Sequence, residues 1–201
     1  MAWKPDYVTV LDLADYRRVE DNVDNIEMQY AIAAASRAVE RFCNRQFGSA
    51  AQTRYYTAGW DPALCKWVVD TDDIPTTTGL TVTYDSLNDG TYADAVTVYT
   101  LGPLNAVADG KPWNKIVIGA TSPVTVSARV DAIKVVGTFG WTSVPTTIMQ
   151  ATLLQASRFL MRREAAFGIA GEGDASVRLL DRVDPDVAQM LRPYRKVWGA
   201  A

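Results

Sequence analysis

The stretch Ile133-Lys134-Val135-Val136-Gly137-Thr138-Phe139-Gly140-Trp141 decides how the chain divides. β-branched and aromatic residues dominate it, which suits a pleated, half-buried strand, and Gly137 and Gly140 permit a bulge or an exit turn. Ser143-Val144-Pro145 then places proline at a first helical position, where its missing N–H is no loss. From Thr146 to Ala166 the spacing predicts one long helix. Met149, Leu153, Ala156 and Leu160 step by four, three and four, and Ala151, Leu154 and Met161 widen the apolar surface. A helix this apolar is buried on more than one side or serves as an interface. Arg158, Arg162 and Arg163 gather at its C-terminal end, where cations complement the helix dipole. A glycine-rich loop (Gly168 to Gly173) and an extended Ser176-Val177-Arg178-Leu179-Leu180 follow. Asp184 and Pro185 then supply the N-cap and first residue of a short helix. Pro193 ends it, leaving the tail Tyr194-Arg195-Lys196-Val197-Trp198.

Upstream, Tyr7 to Val19 carries a helical pattern that Thr9 or Asp12 can cap, running to about Arg18. Asp24 and Glu27 have capping-box spacing ahead of a second helix over 25–44. There Met28, Ile32, Ala35, Val39 and Phe42 step 4, 3, 4, 3, while Arg37, Glu40 and Arg41 cover the wet side, and Gly48 marks the end. Between Thr53 and Val130 the period changes to two. The expected strands are Thr53–Thr57, Lys66–Val69, Leu80–Tyr84, Ala95–Leu101, Lys115–Ile118 and Val124–Arg129. Asn88-Asp89-Gly90 and Asp109-Gly110 are turn chemistry, and Gly102–Asn114 reads as a loop.

These elements predict an α+β fold: an α-helical bundle core of about four helices (9–18, 25–44, 145–166, 184–192) with an inserted antiparallel β subdomain. The chain then divides into N-terminal core helices (1–49), the inserted β-rich subdomain (50–131), and a third stretch (132–201). That last stretch holds the strand, long helix, glycine-rich loop and C-terminal arm.

Composition narrows the function. Hydrophobic residues at 48% and charged residues at 21% are ordinary globular values. A net charge of −3 carries no global bias toward nucleic acid or anionic membrane. Residues 158–198 hold eight basic against six acidic side chains (+2), leaving 12 against 17 (−5) elsewhere. No run of 18 apolar residues exists to span a membrane, and the opening Met-Ala-Trp-Lys-Pro-Asp lacks the apolar core of a signal peptide. The expectation is a soluble protein made in a cytoplasm.

The chain contains no histidine, which removes Ser-His-Asp and Cys-His catalysis and every histidine-containing metal site. Cys43 and Cys65 are too few for a disulfide framework or a structural zinc site. Asp70, Asp72 and Asp73, just after a predicted strand, are the best carboxylate group, and a solvated turn outweighs a cation site or acid/base pair there. The loop Gly168-x-x-Gly171-x-Gly173 has no following Lys-Ser/Thr and no strand-to-helix context, so it is a hinge or docking loop rather than a phosphate cradle. Arg37, Arg41 and Arg45 share a helix face, where Glu40 and Glu27 dilute them; an inter-subunit or solvated role is expected over nucleic-acid binding. Tyr55, Tyr56, Trp60 and Trp67 cluster on one hairpin, and at most one of the adjacent tyrosines faces the core. No enzyme and no cofactor is expected.

Several short pieces in a fixed order resemble the head-to-tail connector family of tailed bacteriophages, the portal adaptors. They are Leu11-Leu13-Ala14-Asp15-Tyr16, Ala33 to Phe42, Asn44-Arg45-Gln46-Phe47, Val136 to Trp141, Val144-Pro145, and an alanine-rich helix ending Arg162-Arg163-Glu164. Phe167 to Gly171, Val183 to Val187 and Leu191-Arg192-Pro193-Tyr194-Arg195-Lys196 complete the set. The pieces cover about half the chain, and the β-rich middle has no counterpart among them.

The resemblance implies a non-enzymatic virion structural protein, a head-completion adaptor in the neck between capsid and tail, assembled in the host bacterial cytoplasm. It implies a ring of copies, typically twelve, beneath the portal protein, with a stopper, next connector or tail-terminator protein on the other face. Packaged DNA would pass through the lumen without sequence-specific binding, and no membrane is involved. Carried onto this chain, portal docking falls to Phe167, Ile169, Val177, Arg178, Leu180, Val187, Leu191, Tyr194, Arg195, Lys196 and Trp198. Subunit contacts fall to Arg37, Arg41, Met149, Leu153, Arg158 and Arg162. The alternative is a β-rich carbohydrate- or partner-binding module on a helical base.

Overall fold

The computed structural model describes residues 3–18, 25–119, 121–164, 169–170, 177–178 and 184–196. The chain separates into two compact units, one formed by Gln46–Ser143 with Trp3 and Lys4, the other by Pro5–Arg45 with Val144–Lys196.

The first unit holds two four-stranded antiparallel sheets. Its strands are β1 (Ser49–Tyr56), β2 (Gly59–Asp61), β3 (Lys66–Ile74), β4 (Thr81–Tyr84), β5 (Asp94–Ala95), β6 (Tyr99–Gly102), β7 (Trp113–Ile118) and β8 (Ile133–Gly140). One sheet has the order β1-β8-β4-β5, the other β2-β3-β7-β6. The decisive stretch is therefore a shared strand: β8 pairs with β1 from Ser49↔Gly140 to Tyr56↔Ile133 and with β4 from Thr81↔Val136 to Tyr84↔Ile133. Its alternate residues Ile133, Val135, Gly137 and Phe139 are buried. Ile133, Val135 and Phe139 join Val69, Ile74, Ile116 and Ile118 from the other sheet in one apolar core. At the strand's exit Gly140 has φ +111, a conformation that only glycine adopts without strain.

The second unit is helical: α1 (Val10–Arg17), α2 (Asn25–Cys43), α3 (Thr146–Glu164) and α4 (Pro185–Leu191), with a two-stranded pairing of β9 (Ile169–Ala170) and β10 (Val177–Arg178). Thr9 is the N-cap of α1, and Asp12 returns the bond to its backbone in a capping box. Asp184 caps α4 with Pro185 in the first turn, and a 3-10 turn over Arg192–Tyr194 follows. Met28, Ala31, Ile32 and Ala35 of α2 meet Ala156 and Leu160 of α3, with Leu13 of α1 closing the cluster. Asn44, at φ 52, ends α2 before Gly48 does, since Asn tolerates the left-handed region.

The expected helical bundle core is not what the chain builds. Among the described residues the fold is a β-rich α+β, with about 27% strand, two four-stranded sheets and four helices. Two of those helices are only 8 and 7 residues long, too short to frame a four-helix bundle, and the sheets carry a core of their own. Three local differences have the same origin in pairing. The predicted strand Ala95–Leu101 divides between sheets, because β5 pairs β4 while β6 pairs β7. β3 continues through Asp70–Asp73, with a register shift before Ile74, instead of turning there. Val124–Arg129 forms no strand, although Val126 is buried.

Candidate interaction surfaces

The three carboxylates that sequence grouped as the best chemical candidate are separated by their partners. Asp70 faces Lys115, with Nζ to Oδ1 at 3.5 Å, near the surface. Asp72 forms an ion pair with Arg54 and accepts a hydrogen bond from the Tyr56 hydroxyl at 3.0 Å. Burial, reinforced by the Asp72 charge, pushes the Tyr56 phenol well above its ordinary range. Arg54 lies between the Trp3 ring at 4.3 Å and the Phe139 ring at 5.1 Å. Asp73 is buried and accepts from the Trp141 indole N–H at 2.9 Å, and Trp141 in turn packs against Phe47. Each carboxylate anchors a different neighbour. Among the described residues no cluster of three or more His, Cys, Asp or Glu side chains is arranged to hold a metal ion.

Burial pushes the Cys43 thiol up to about 12, while Cys65 is exposed on the β2–β3 connection. On that hairpin Trp60 and Trp67 meet edge-to-face at 5.3 Å. Tyr55 is exposed and rests against Tyr92, whereas Tyr56 turns inward, as strand alternation requires. No described helix is long and apolar enough to cross a membrane.

In the helical unit, the residues expected at subunit contacts divide into two groups. Arg37 is committed internally: it pairs with buried Glu40 at 2.8 Å, donates to the Pro5 carbonyl at 2.5 Å, and lies over the Tyr7 ring. Tyr7 also donates its hydroxyl to Glu40 at 2.8 Å, so this network straps the chain's beginning onto α2. Met149 and Leu153 are half-buried against the interhelical cluster. Arg158 forms an ion pair with Asp184, tying α3 to the cap of α4. Arg162 is half-buried, and Arg41 is exposed.

Of the residues expected to dock on the portal, Val187 and Leu191 are fully buried and anchor α4 in the unit's core. Lys196 is also buried, its backbone N–H donating to the Cys43 carbonyl at 2.8 Å. Tyr194 is half-buried and Arg195 exposed. Ile169, Val177 and Arg178 lie in the β9–β10 pairing, where Val177 opposes Ala170 and Arg178 opposes Ile169. Phe167, Leu180 and Trp198 lie outside the described residues.

Two features escaped sequence reasoning. A groove of about 460 Å³ is lined by Phe42, Ala188, Gln189, Arg192 and Arg195, so Phe42 faces this opening instead of the α2–α3 seam. The run Leu191 to Lys196 held the signal, because α4 buries only Val187 and Leu191 and leaves Arg192 and Arg195 outside. A second, apolar groove of about 360 Å³ is lined by Glu27, Tyr30, Ala31, Phe159 and Leu160. Tyr30 there is 72% exposed and its i−4 neighbour Ile26 is 67% exposed, which is unusual for large apolar side chains at successive helical turns.

No family model and no curated protein matches this sequence. Among solved structures, the fold is similar to that of a chain in the neck of an empty GTA (gene transfer agent) particle, computed with C6 symmetry. The superposition covers 100% of this chain and 95% of that one, with a TM-score of 0.57 and 18% sequence identity.

Proposed function

We propose that this chain is a structural subunit of the neck of a phage or phage-like particle, acting as a head-to-tail connector. The observation that carries the reading is the likeness to a neck chain over 100% of this chain and 95% of that one. The ordered sequence pieces at the two ends of the chain point the same way, and they lie mostly in the helical unit. Copies form a ring beneath the portal, with a further connector, stopper or terminator on the tail side. A ring of twelve is compatible with the six-fold symmetry applied to the neighbour's particle.

The physical work is assembly, driven by apolar burial at a contact repeated around the ring. The glycine-rich segment and the tail at Trp198 dock on the portal, carried by the anchor that Val187 and Leu191 make in the helical core. A chain of net charge −3 has no global attraction for DNA, which suits a conduit through which a packaged duplex must slide.

The test is to mix the purified protein with portal rings encoded by the same genome and view the products by electron microscopy. Stacked rings are expected, and loss of stacking is expected in a chain ended after Lys196. A protein that ignores the portal and never forms rings contradicts the connector role.

A further inference from the structure

Antiparallel register decides which backbone groups of β1 are already paired. The Trp141 N–H donates to the Gly48 carbonyl, one step beyond the Ser49↔Gly140 pair, so Gly48 and Trp141 are a hydrogen-bonded pair of the ladder. Such pairs alternate along an antiparallel ladder. Ala50, Gln52, Arg54 and Tyr56 therefore bond to β8, while Ala51, Thr53 and Tyr55 turn their N–H and C=O groups away from it. The other side of β8 keeps the same phase, since the Asp85 N–H donates to the Ala132 carbonyl beside the β4 pairing. β1 is the last strand of its sheet, and none of its residues is buried. The other three sheet edges are short: β5 has two residues, β2 three and β6 four. β1 has eight, in unbroken register with β8, and neither proline nor lysine blunts it. Its one charged side chain, Arg54, is paired with Asp72.

A second stretch of the same unit has the period of a strand and no strand partner. Ser127 and Arg129 both reach Tyr84, the serine Oγ 2.9 Å from its hydroxyl and the guanidinium 5.5 Å from the ring centre. Ala128 and Val130, which alternate with them, are exposed. Alternation by two is what an extended backbone produces. Val126, just before, is buried and fixes the stretch in place. Yet residues 127–130 belong to no strand, and among the described residues no backbone-to-backbone hydrogen bond satisfies them. We infer that the free edge of β1 takes residues 127–130 of a neighbouring copy as an added strand, so that main-chain hydrogen bonds join one β unit to the next. This rests on the ring reading and names the contact that propagates the ring. Addition of an extended segment to a sheet edge draws its affinity from main-chain bonds, with no need of complementary charge. The exposed side chains of the two partners, Ala51, Thr53 and Tyr55 against Ala128 and Val130, are all uncharged. A second copy is the occupant because this chain carries both the unfilled edge and an unpaired stretch able to fill it. The two are different patches, so the contact is head-to-tail and makes a ring where the rotation closes.

The experiment uses the full chain and reads ring formation by mass photometry and negative-stain electron microscopy, alone and on portal rings. Thr53→Pro deletes an outward N–H and no bond to β8, and proline is tolerated where the N–H side of an edge strand faces solvent. Thr53→Ala removes the side chain and keeps the N–H. Thr53→Pro is expected to remain monomeric under conditions in which the wild type and Thr53→Ala form rings, with thermal melts showing that both variants fold. Cross-linking locates the donor. With Cys65→Ser removing the exposed thiol, Ala128→Cys is combined in turn with Ala51→Cys, Thr53→Cys and Tyr55→Cys. Oxidation is expected to give a ladder of covalent oligomers from at least one of these pairs, and none from Ala128→Cys alone.

Rings from a folded Thr53→Pro variant overturn the inference. So does loss of rings in Thr53→Ala, which assigns the contact to the side chain. Absence of a ladder from all three cysteine pairs also overturns it, because the edge of β1 then takes some other segment. The cross-links leave every backbone group in place, so they decide the question even where proline unfolds the strand. A wild-type protein that forms no ring, alone or on the portal, overturns the ring reading itself and this contact with it.

Discussion

Gly140→Ala is the sharpest single perturbation of the β unit. A Cβ built on Gly140 would lie 1.7 Å from the Gly48 carbonyl oxygen, 2.8 Å from its carbon and 3.0 Å from the Ser49 Cα. These are backbone atoms, so no side chain can rotate away. Holding an L-residue at φ +111 costs about 1–3 kcal/mol. Relieving the overlap separates β8 from β1 at the Ser49↔Gly140 pair and breaks the bond from the Trp141 N–H to the Gly48 carbonyl, a further loss of about 1 kcal/mol. The strain and the broken bond, together with disturbed Phe47–Trp141 packing, amount to about 3–5 kcal/mol. At about 2–4 °C per kcal/mol for a chain of this size, melting falls by about 6–20 °C. Differential scanning calorimetry measures it, with near-ultraviolet circular dichroism reporting Trp141. Gly79→Ala is the control: its φ is +71 but nothing lies within 4 Å of the added methyl, so only the strain of roughly 1 kcal/mol remains. Equal melting shifts for the two variants would refute the steric argument.

Three further outcomes follow from the same geometry. Asp73→Ala removes the acceptor of the buried Trp141 indole N–H and is expected to cost about 2–3 kcal/mol, while Asp73→Asn retains an acceptor and costs less; chemical denaturation separates them. Of the two free thiols, only Cys65 is expected to react with a colorimetric disulfide reagent in the native state, and denaturant should release the second, Cys43. Asp12→Ala is expected to lower stability by about 0.5–1 kcal/mol through loss of the capping box. The Thr9 backbone N–H, then its hydroxyl, hold the Asp12 carboxyl below 3.8. Its contribution is thus complete above that value and disappears as pH falls through the lower folded pKa, so denaturation series at pH 7 and pH 2 should show the variant's deficit only at the former.

Much of the helical unit was legible because its signals are local. The four-and-three stepping of α2 and the pairs Thr9/Asp12 and Asp184/Pro185 each state a helix or its cap in adjacent residues. β8 was equally legible from its β-branched and aromatic content. What sequence did not reveal is what depends on partners distant in the chain. Ser49-Ala50-Ala51-Gln52 has little strand propensity and is extended because β8 lies alongside it. Asp70-Thr71-Asp72-Asp73 reads as a polar turn, yet Thr71 and Asp73 face inward and Asp73 is satisfied by an indole 68 residues away. The balance between sheet and helix is hidden for the same reason: β8 reads locally as a lone strand ahead of a helix, while its neighbours β1 and β4 come from distant stretches of chain. The surfaces suffered most. Arg37 reaches the Pro5 carbonyl 32 residues away as well as its neighbour Glu40, and Arg192 beside the C-terminal groove carries no periodic signal.

A role in the neck is open to direct observation in the particle itself. A tagged copy of this chain should be introduced into the genome that encodes it, and purified particles labelled with gold against the tag and imaged. Label is expected only at the collar between capsid and tail, with tailless, DNA-leaking heads accumulating when the gene is deleted. Label on the capsid shell or tail tip, or normal tailed particles from the deletion, would contradict it.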